Sequence, residues 1–392
     1  MSPIRFEVVS DSAGLRDLET DWRALFSRID GATIFQTFDW HWHTWETSCA
    51  SSGRGLHILV GRIGATVSLI WPLMRDDAYL TFLTPGGFQY NDALLAPGPE
   101  GDALLSAAWR TVSRQGADLL LLLGLRPNSR LVALLTGHQP AARHRETPSH
   151  SLQLSAFPSW AGYLASLPKR LMADQARQWR RLERLPDGVA FELAADPAAV
   201  KDAIGWLLDR KMEWLTAKAM PTSLIASPEY RAFLEAISTA ALARGWLFLA
   251  SLRSGPHLLS VLLGFRVGTQ LSFYNFAYDH AWNPYSPGRL LLERSIRWCW
   301  DNDVQVFDFL TGGHAYKETW ANQCTTLSDF TVPLSLKGRA ILSWHSLKLG
   351  RLAEHPLFRT AYLSIPPGLR GKLRRALQTN AMIVQSMDEP QG

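Results

Sequence analysis

The chain has 392 residues, 47% hydrophobic and 19% charged, with 16 Trp and 17 Phe. That length suits two or three domains, and that apolar fraction fills a sizeable core, which excludes a disordered or low-complexity chain. The net charge of +5 is uneven: residues 335–380 hold nine Lys or Arg and one acid, leaving 31 basic and 34 acidic residues elsewhere. The basicity therefore belongs to a C-terminal segment, and neither a broad nucleic-acid-binding face nor a DNA partner is expected.

The three cysteines, Cys49, Cys299 and Cys324, are scattered and odd in number, which argues against a disulfide scaffold, a structural zinc site or any other metal centre. Trp40-His41-Trp42-His43 places its histidines at i and i+2, which point apart on a helix. The first residues carry no apolar stretch behind a basic start, so no signal peptide is expected. The strongest apolar run, Leu119 to Leu125, is far shorter than the ~20 residues a spanning helix needs. These features read as a cytoplasmic protein of a reducing compartment.

In chain order, Arg5 to Ser10 alternates like a strand, and Gly14 to Ile29 repeats apolar residues at helical spacing. Asp39 to Cys49 is a second, aromatic helix. Strands follow at Leu56 to Arg62, Thr66 to Met74 and Tyr79 to Thr84, until Pro85-Gly86-Gly87 breaks the pattern. A helix from Ala103 to Gln115 leads into the strand Leu119 to Leu125. A helix from Lys169 to Leu185, bounded by Pro168 and Pro186, then precedes a strand at Val189 to Leu193 and helices at Ala198 to Lys218 and Pro228 to Arg244.

Strands at Trp246 to Leu252, Leu258 to Val267 and Gln270 to Tyr278, a Pro/Gly loop, a helix from Gly288 to Trp300 and a strand at Val304 to Leu310 repeat the earlier order. The interval from Leu56 to Leu119 nearly equals that from Trp246 to Val306, which indicates an internal repeat. Leu327 to Leu334 closes the second half. Three antiparallel strands, a loop, a helix and a parallel strand are the layout of the GNAT N-acyltransferase fold, where the fourth strand splays from its neighbour. The expectation is an α+β tandem GNAT protein with two mixed sheets flanked by helices. Its parts are a degenerate N-terminal domain at 1–157, a basic linker helix at 158–188, a catalytic domain at 189–335 and a basic amphipathic extension at 336–392.

Chemistry-bearing residues crowd between Phe273 and Asn322. Ser286-Pro287-Gly288-Arg289 runs straight into a helix, with Ser286 as N-cap and Pro287 in the first turn. This is either an ordinary helix start or an anion site built from free N–H groups, the helix dipole, the close approach allowed by Gly288 and the charge of Arg289. Asp308 lies among apolar residues in a strand, as a structural acceptor or a catalytic group. Lys317 follows a Gly-Gly turn. On the Lys169 helix, Arg170, Asp174, Arg177, Arg181 and Arg184 share one face, as a solvated surface or as a ridge for phosphates or an anionic acceptor.

The run from Tyr274 through Ser286-Pro287-Gly288, Asp308-Phe309, Gly312 and Tyr316-Lys317 to Trp320 resembles the CelD-type acetyltransferases of cellulose and other polysaccharide synthesis. More distantly it is similar to the Fem-type aminoacyltransferases. Phe35 to Trp40 loosely matches an N-terminal element of the family, and Ser166 to Glu183 its arginine-rich helix. The usual Gln/Arg-x-x-Gly-x-Gly/Ala phosphate loop is replaced by Ser286-Pro287-Gly288-Arg289. The resemblance implies an N-acyltransferase moving an acyl group, from acyl-CoA with acetyl-CoA first, to an amine or a glycan precursor. Acyl-carrier protein or aminoacyl-tRNA would serve the same geometry, and a non-catalytic subunit of a polysaccharide-synthesis complex is the rival.

Under that reading Asp308 orients or deprotonates the acceptor and Lys317 steadies negative charge or binds donor. Tyr274 and Tyr316 are candidates to protonate the leaving thiolate, and backbone N–H groups near Phe276 to Tyr278 stabilise the oxyanion. Beyond Leu334, Ile341 to Leu352 interleaves apolar residues with cations and is followed by Arg370, Lys372, Arg374 and Arg375. This segment either packs on the catalytic unit or rests peripherally on an anionic membrane surface.

Overall fold

The computed structural model describes residues 3–50, 52–76, 78–86, 90–138, 143–312 and 315–346. The first half opens with strand β1 (Ile4–Val9) and helices α1 (Ser12–Asp17), α2 (Glu19–Phe26) and α3 (Phe38–Thr44). Strands β2 (Gly55–Ile63), β3 (Thr66–Asp76), β4 (Tyr79–Phe82) and β5 (Leu94–Leu95) lead to α4 (Pro99–Val112), β6 (Leu119–Leu125), α5 (Arg130–His138) and β7 (Arg143–Gln153). Helices α6 (Trp160–Ser166) and α7 (Lys169–Glu183) connect to the second half.

There β8 (Ala190–Leu193), α8 (Pro197–Ala217), α9 (Ser223–Ala226) and α10 (Pro228–Ala243) precede β9 (Leu247–Ser254), β10 (His257–Val267) and β11 (Gln270–Tyr278). The chain continues through α11 (Pro287–Asp301), β12 (Val306–Thr311), α12 (Ala315–Trp320), β13 (Gln323–Pro333) and α13 (Leu336–Ser346).

The expected two sheets are one. All 13 strands join a single mixed sheet in the order β1-β2-β3-β4-β6-β13-β7-β12-β11-β10-β9-β8, with β5 on β3. The repeat is visible in that order, since each half contributes a meander, a parallel strand and one more strand. The halves exchange the last of these. β7 ends the first half but pairs with β12, and β13 ends the second half but pairs with β6. β7 and β13 then pair with each other from Gln323↔Ser151 to Thr331↔Arg143, fusing the sheets. A sheet edge left with unpaired N–H and C=O groups is a liability, and the exchange removes one from each half. The strand expected to close the second half thus closes the first.

Helices cover both faces through four apolar clusters. On one face of the second half, α6, α7 and α11 pack Leu182, Leu291 and Ile296 against Leu262, Leu271 and Phe307. On the other, α8 and α10 bring Leu207, Phe233 and Ile237 against Val261 and Phe265. Ile34, Phe35 and Trp40 from the first half enter this second cluster, where Trp40 meets Phe233 and Tyr274 edge-on at 4.9 and 5.5 Å. Asp39, beside Trp40, accepts from Arg23 on α2 at 2.8 Å and Arg244 after α10 at 2.9 Å, which ties the halves together. Among the described residues no helix is long and apolar enough to cross a membrane.

Of the basic C-terminal segment, α13 docks on the start of β6. Asp118 accepts from Lys337 Nζ and Ser335 Oγ, each at 2.6 Å. Residues from 347 onward, with half of the expected amphipathic stretch Ile341 to Leu352 and the Arg370 to Arg375 cations, lie outside the described residues.

Candidate active site

Parallel strands β11 and β12 pair only from Gln270↔Val306 to Ser272↔Asp308 and then diverge. The first half has the same feature, with β4 and β6 paired only from Tyr79 to Thr81. There Asn91 lies alongside β6, its N–H reaching the Gly124 carbonyl at 3.1 Å and its side-chain amide the Leu123 carbonyl at 2.9 Å. The second-half gap stays open.

Its β12 side is shaped by Leu310, which sits in the left-handed region at φ 57 and breaks register with β7. A branched side chain there is strained. Two charged groups hold it. The Asp308 Oδ1 accepts the Leu310 N–H at 2.8 Å, and Lys317 Nζ donates to the carbonyls of Phe309 at 2.8 Å, Leu310 at 3.4 Å and Thr311 at 2.5 Å. Asp308 also accepts from Tyr90 Oη and from Gln270 Nε2, both at 2.8 Å, while Tyr90 shares a 2.7 Å hydrogen bond with Ser149. Burial raises the Asp308 carboxyl to about 6 against the pull of these donors. Desolvation likewise brings the Lys317 ammonium down to about 8, although Asp308 opposes it.

Two cavities flank the gap. One, of about 450 Å³ on the α8 face, is lined by Tyr274, Leu310, Lys317 and residues of α8. The other, of about 280 Å³ on the α11 face, is lined by Ser286, Pro287, Gly288 and Arg289. Phe273, Phe276, Tyr278 and Tyr316 line both. The gap is therefore a slot with two mouths.

The structure brings Tyr274, Tyr316 and Lys317 to this slot, and Ser286, Pro287, Gly288 and Arg289 to its α11 mouth. It does not bring Asp308, which lines neither cavity and has its carboxylate filled by three donors. Ser286 holds the N-cap position but adopts a left-handed conformation at φ 53, and its hydroxyl accepts from Arg289 Nη2 at 3.1 Å instead of capping α11. Gly288 is required by packing, because a Cβ there would overlap the Phe276 ring and lie 3.2 Å from Tyr278 Cδ1.

Arg289 also pairs with Asp174 of α7, while its buried Nε has no partner among the described residues. Of the arginine face on α7, Asp174 further binds Arg177, and Arg181 donates to the Pro284 carbonyl at 2.8 Å and stacks on Tyr285. Gln175 donates to the Arg289 carbonyl at 3.1 Å, which seats α7 on α11. Ladder alternation, set by the Asp279 N–H on the Leu259 carbonyl at 2.9 Å, aims the N–H groups of Phe276 and Tyr278 into the slot. Of these, Phe276 N–H is taken by Asn275 Oδ1 at 2.8 Å.

Sequence reasoning missed Tyr90, Gln270, Arg210, Lys211 and Trp214. Lys211 carried a legible signal, since it lies on the buried stripe of α8 between Leu207 and Leu215. Tyr90 and Gln270 carried none.

Residues 169–318 match the acetyltransferase (GNAT) domain family. The chain carries a GNAT domain. A domain of this family marks it as an acyltransferase that uses an acyl donor such as acyl-CoA. The matched stretch begins at Lys169, so it includes α7 as well as the slot.

The fold is similar to that of FemX, with a TM-score of 0.55 at 12% identity over 79% of this chain and 95% of that one. It is also similar to the C-terminal domain of a lysylphosphatidylglycerol synthetase from Agrobacterium fabrum, with a TM-score of 0.54 at 11% identity over 86% and 97% of the two chains. The corresponding L-PGS from Bacillus licheniformis has a TM-score of 0.52 at 11% identity over 85% and 96%. No curated protein is significantly similar in sequence to this chain.

Proposed function

We propose that the chain is an N-acyltransferase of the CelD type, which moves an acyl group from acyl-CoA to an amine in polysaccharide or cell-envelope metabolism. The observation that carries this reading is the open slot between β11 and β12, with a helix N-terminus at one mouth and a separate cavity at the other. The donor enters from the α11 mouth, where the first turn of α11 and Arg289 meet its phosphates. Its thioester carbonyl lies in the slot, facing the Tyr278 N–H as oxyanion donor. The acceptor nitrogen arrives from the α8 mouth and bonds to the carbonyl carbon as the C–S bond breaks.

Tyr316 lines both mouths and is placed to protonate the leaving thiolate, whereas Tyr274 lies on the α8 side with its hydroxyl 3.2 Å from that of Tyr230. Among the described residues no carboxylate lines the slot. The nitrogen loses its proton because nearby cations disfavour its charged form, leaving water as the proton acceptor. Asp308 acts from outside the slot as a positioning residue.

A second reading has support in the exposed Lys169, Arg170, Arg177 and Arg180 on α7, beside the donor mouth. They suit a polyanionic donor such as aminoacyl-tRNA.

Titration with acetyl-CoA and longer acyl-CoAs tests the donor site. Arg289→Ala is expected to weaken binding by about 1–3 kcal/mol, the scale of a lost charged hydrogen bond. Asp174→Asn, which frees Arg289 and removes a negative charge from the mouth, is expected to tighten it. If both variants fold and leave donor affinity unchanged, the α11 mouth is not the donor site. Donor binding seen only with tRNA, and falling steeply with salt, selects the second reading.

A further inference from the structure

We propose that the α8 mouth selects an acceptor carrying an anionic group, a carboxylate or a phosphate, which is held against Lys211 while its amine reaches the slot. This rests on the acyl-transfer reading for the role of the ligand, but the anion site itself stands on the cavity.

The charged residues lining the 450 Å³ cavity are all cationic, Arg210, Lys211 and Lys317, and the imidazole of His280 lines it beside them. None of the lining residues is acidic. Lys211 lies on the face of α8 turned to the sheet, one turn from Leu207 and one from Leu215, which are 0% and 7% exposed. Its Nζ sits 5.2 Å from the centre of the Trp214 ring. Among the described residues it meets no carboxylate and no hydrogen-bond acceptor.

Arg210 spends one amino group on Glu213 at 2.8 Å, but its buried Nε has no partner among the described residues. Lys317 is close enough to feel the Lys211 charge, and burial pushes both ammonium groups down. A buried ammonium without a counter-charge is costly, and such groups are ordinarily paired. Lys317 is served by three backbone carbonyls and by Asp308, but among the described residues the half-buried Lys211 and the orphaned guanidinium nitrogen of Arg210 have no such partner, and an anionic ligand completes them.

Function supplies the second part of the argument. A plain alkylammonium is repelled by this cavity. A molecule with both an amine and an anionic group is attracted through the anion, and the same cations then favour the neutral, nucleophilic form of its nitrogen. The volume suits a small molecule or the end of a larger one.

The test is calorimetric titration of the full chain, without donor, with matched pairs. These are 4-aminobutyrate against 4-aminobutanamide, and O-phosphoethanolamine against ethanolamine. At least one anionic member is expected to bind saturably, at least about tenfold more tightly than its neutral partner, and the pair that does so identifies carboxylate or phosphate. Lys211→Ala and Lys211→Met are expected to abolish that preference, Lys211→Arg to keep it within about threefold, and Arg289→Ala to leave it intact. Circular dichroism confirms that each variant folds. Equal binding of anionic and neutral members, no binding of either anion, or a loss that follows Arg289 instead of Lys211 overturns the proposal. Because no donor is present, failure of acyl transfer is read separately, from the acyl-CoA titration.

Discussion

Asp308 shows how a single buried carboxylate is used for shape. Its two oxygens take three hydrogen bonds, one of them from the strained Leu310. An asparagine retains the Oδ1 contacts, and Gln270 restores the third by turning its amide over. Asp308→Asn is therefore expected to fold. The titration of Asp308 gives a sharper expectation. Its folded value is about 6 against an ordinary 3.8, so the native state holds the proton more tightly than the unfolded chain. The stability this provides is fully present below the ordinary value and is lost as pH rises through the folded one. His41 and His57, which burial pushes down to about 3 and about 4, act with the opposite sign, so only the difference between wild type and variant isolates Asp308. Between about pH 4 and about pH 7 the wild type should lose ~3 kcal/mol relative to Asp308→Asn. Urea unfolding at stepped pH checks this, and a difference flat with pH would show that burial does not raise this carboxyl.

At the scale of elements, α11 and β11 form one unit. The helix approaches the strand so closely that position 288 has no room for a side chain: Phe276 and Tyr278, which line the slot, occupy the space of a Cβ. Gly288 is thus a packing residue whose absence of bulk sets the width of the donor mouth. Gly288→Ala keeps an allowed backbone but drives Phe276 toward the slot, at a cost of about 1–3 kcal/mol for overpacking. The expected outcome is a lower melting temperature together with weaker acyl-CoA binding. Normal binding with a lower melting temperature would detach Phe276 from the donor path. The helix start itself was legible in Ser286-Pro287-Gly288-Arg289, but the hydroxyl of Ser286 serves Arg289 and not the helix, a choice made by the left-handed backbone there.

At the scale of the molecule, the exchange of β7 and β13 makes the two halves interdependent. Residues 1–157 alone lack the strand that covers β6, and residues 158–392 alone lack the strand that covers β12. Each fragment is expected to be insoluble or unfolded when produced alone, and the two are expected to reassemble when co-expressed. The intact chain should unfold in a single transition, with Arg23, Asp39 and Arg244 adding an ionic tie across the halves. Hydrogen exchange offers the check. A soluble 1–157 fragment with protected amides in β6 would show that the exchange does not decide stability.

What the sequence alone determined was whatever local periodicity and breakers control. The apolar runs of β3 and β6, the Pro/Gly loops and the repeated order of elements all follow from side chains and their neighbours in the chain. The helix Lys169–Glu183 and the crowding of Tyr274, Arg289, Tyr316 and Lys317 around one loop were legible for the same reason. Tertiary structure alone decided the rest. β7 reads as a polar segment with Pro148 in its middle, because both its edges are covered by strands distant in sequence and β12 pairs with it no further than Ser149. The merging of two sheets, the reach of Tyr90 to Asp308 and the facing of Lys211 toward Lys317 depend on contacts between residues far apart in the chain. Such contacts are set by how the halves dock, and no local pattern encodes them.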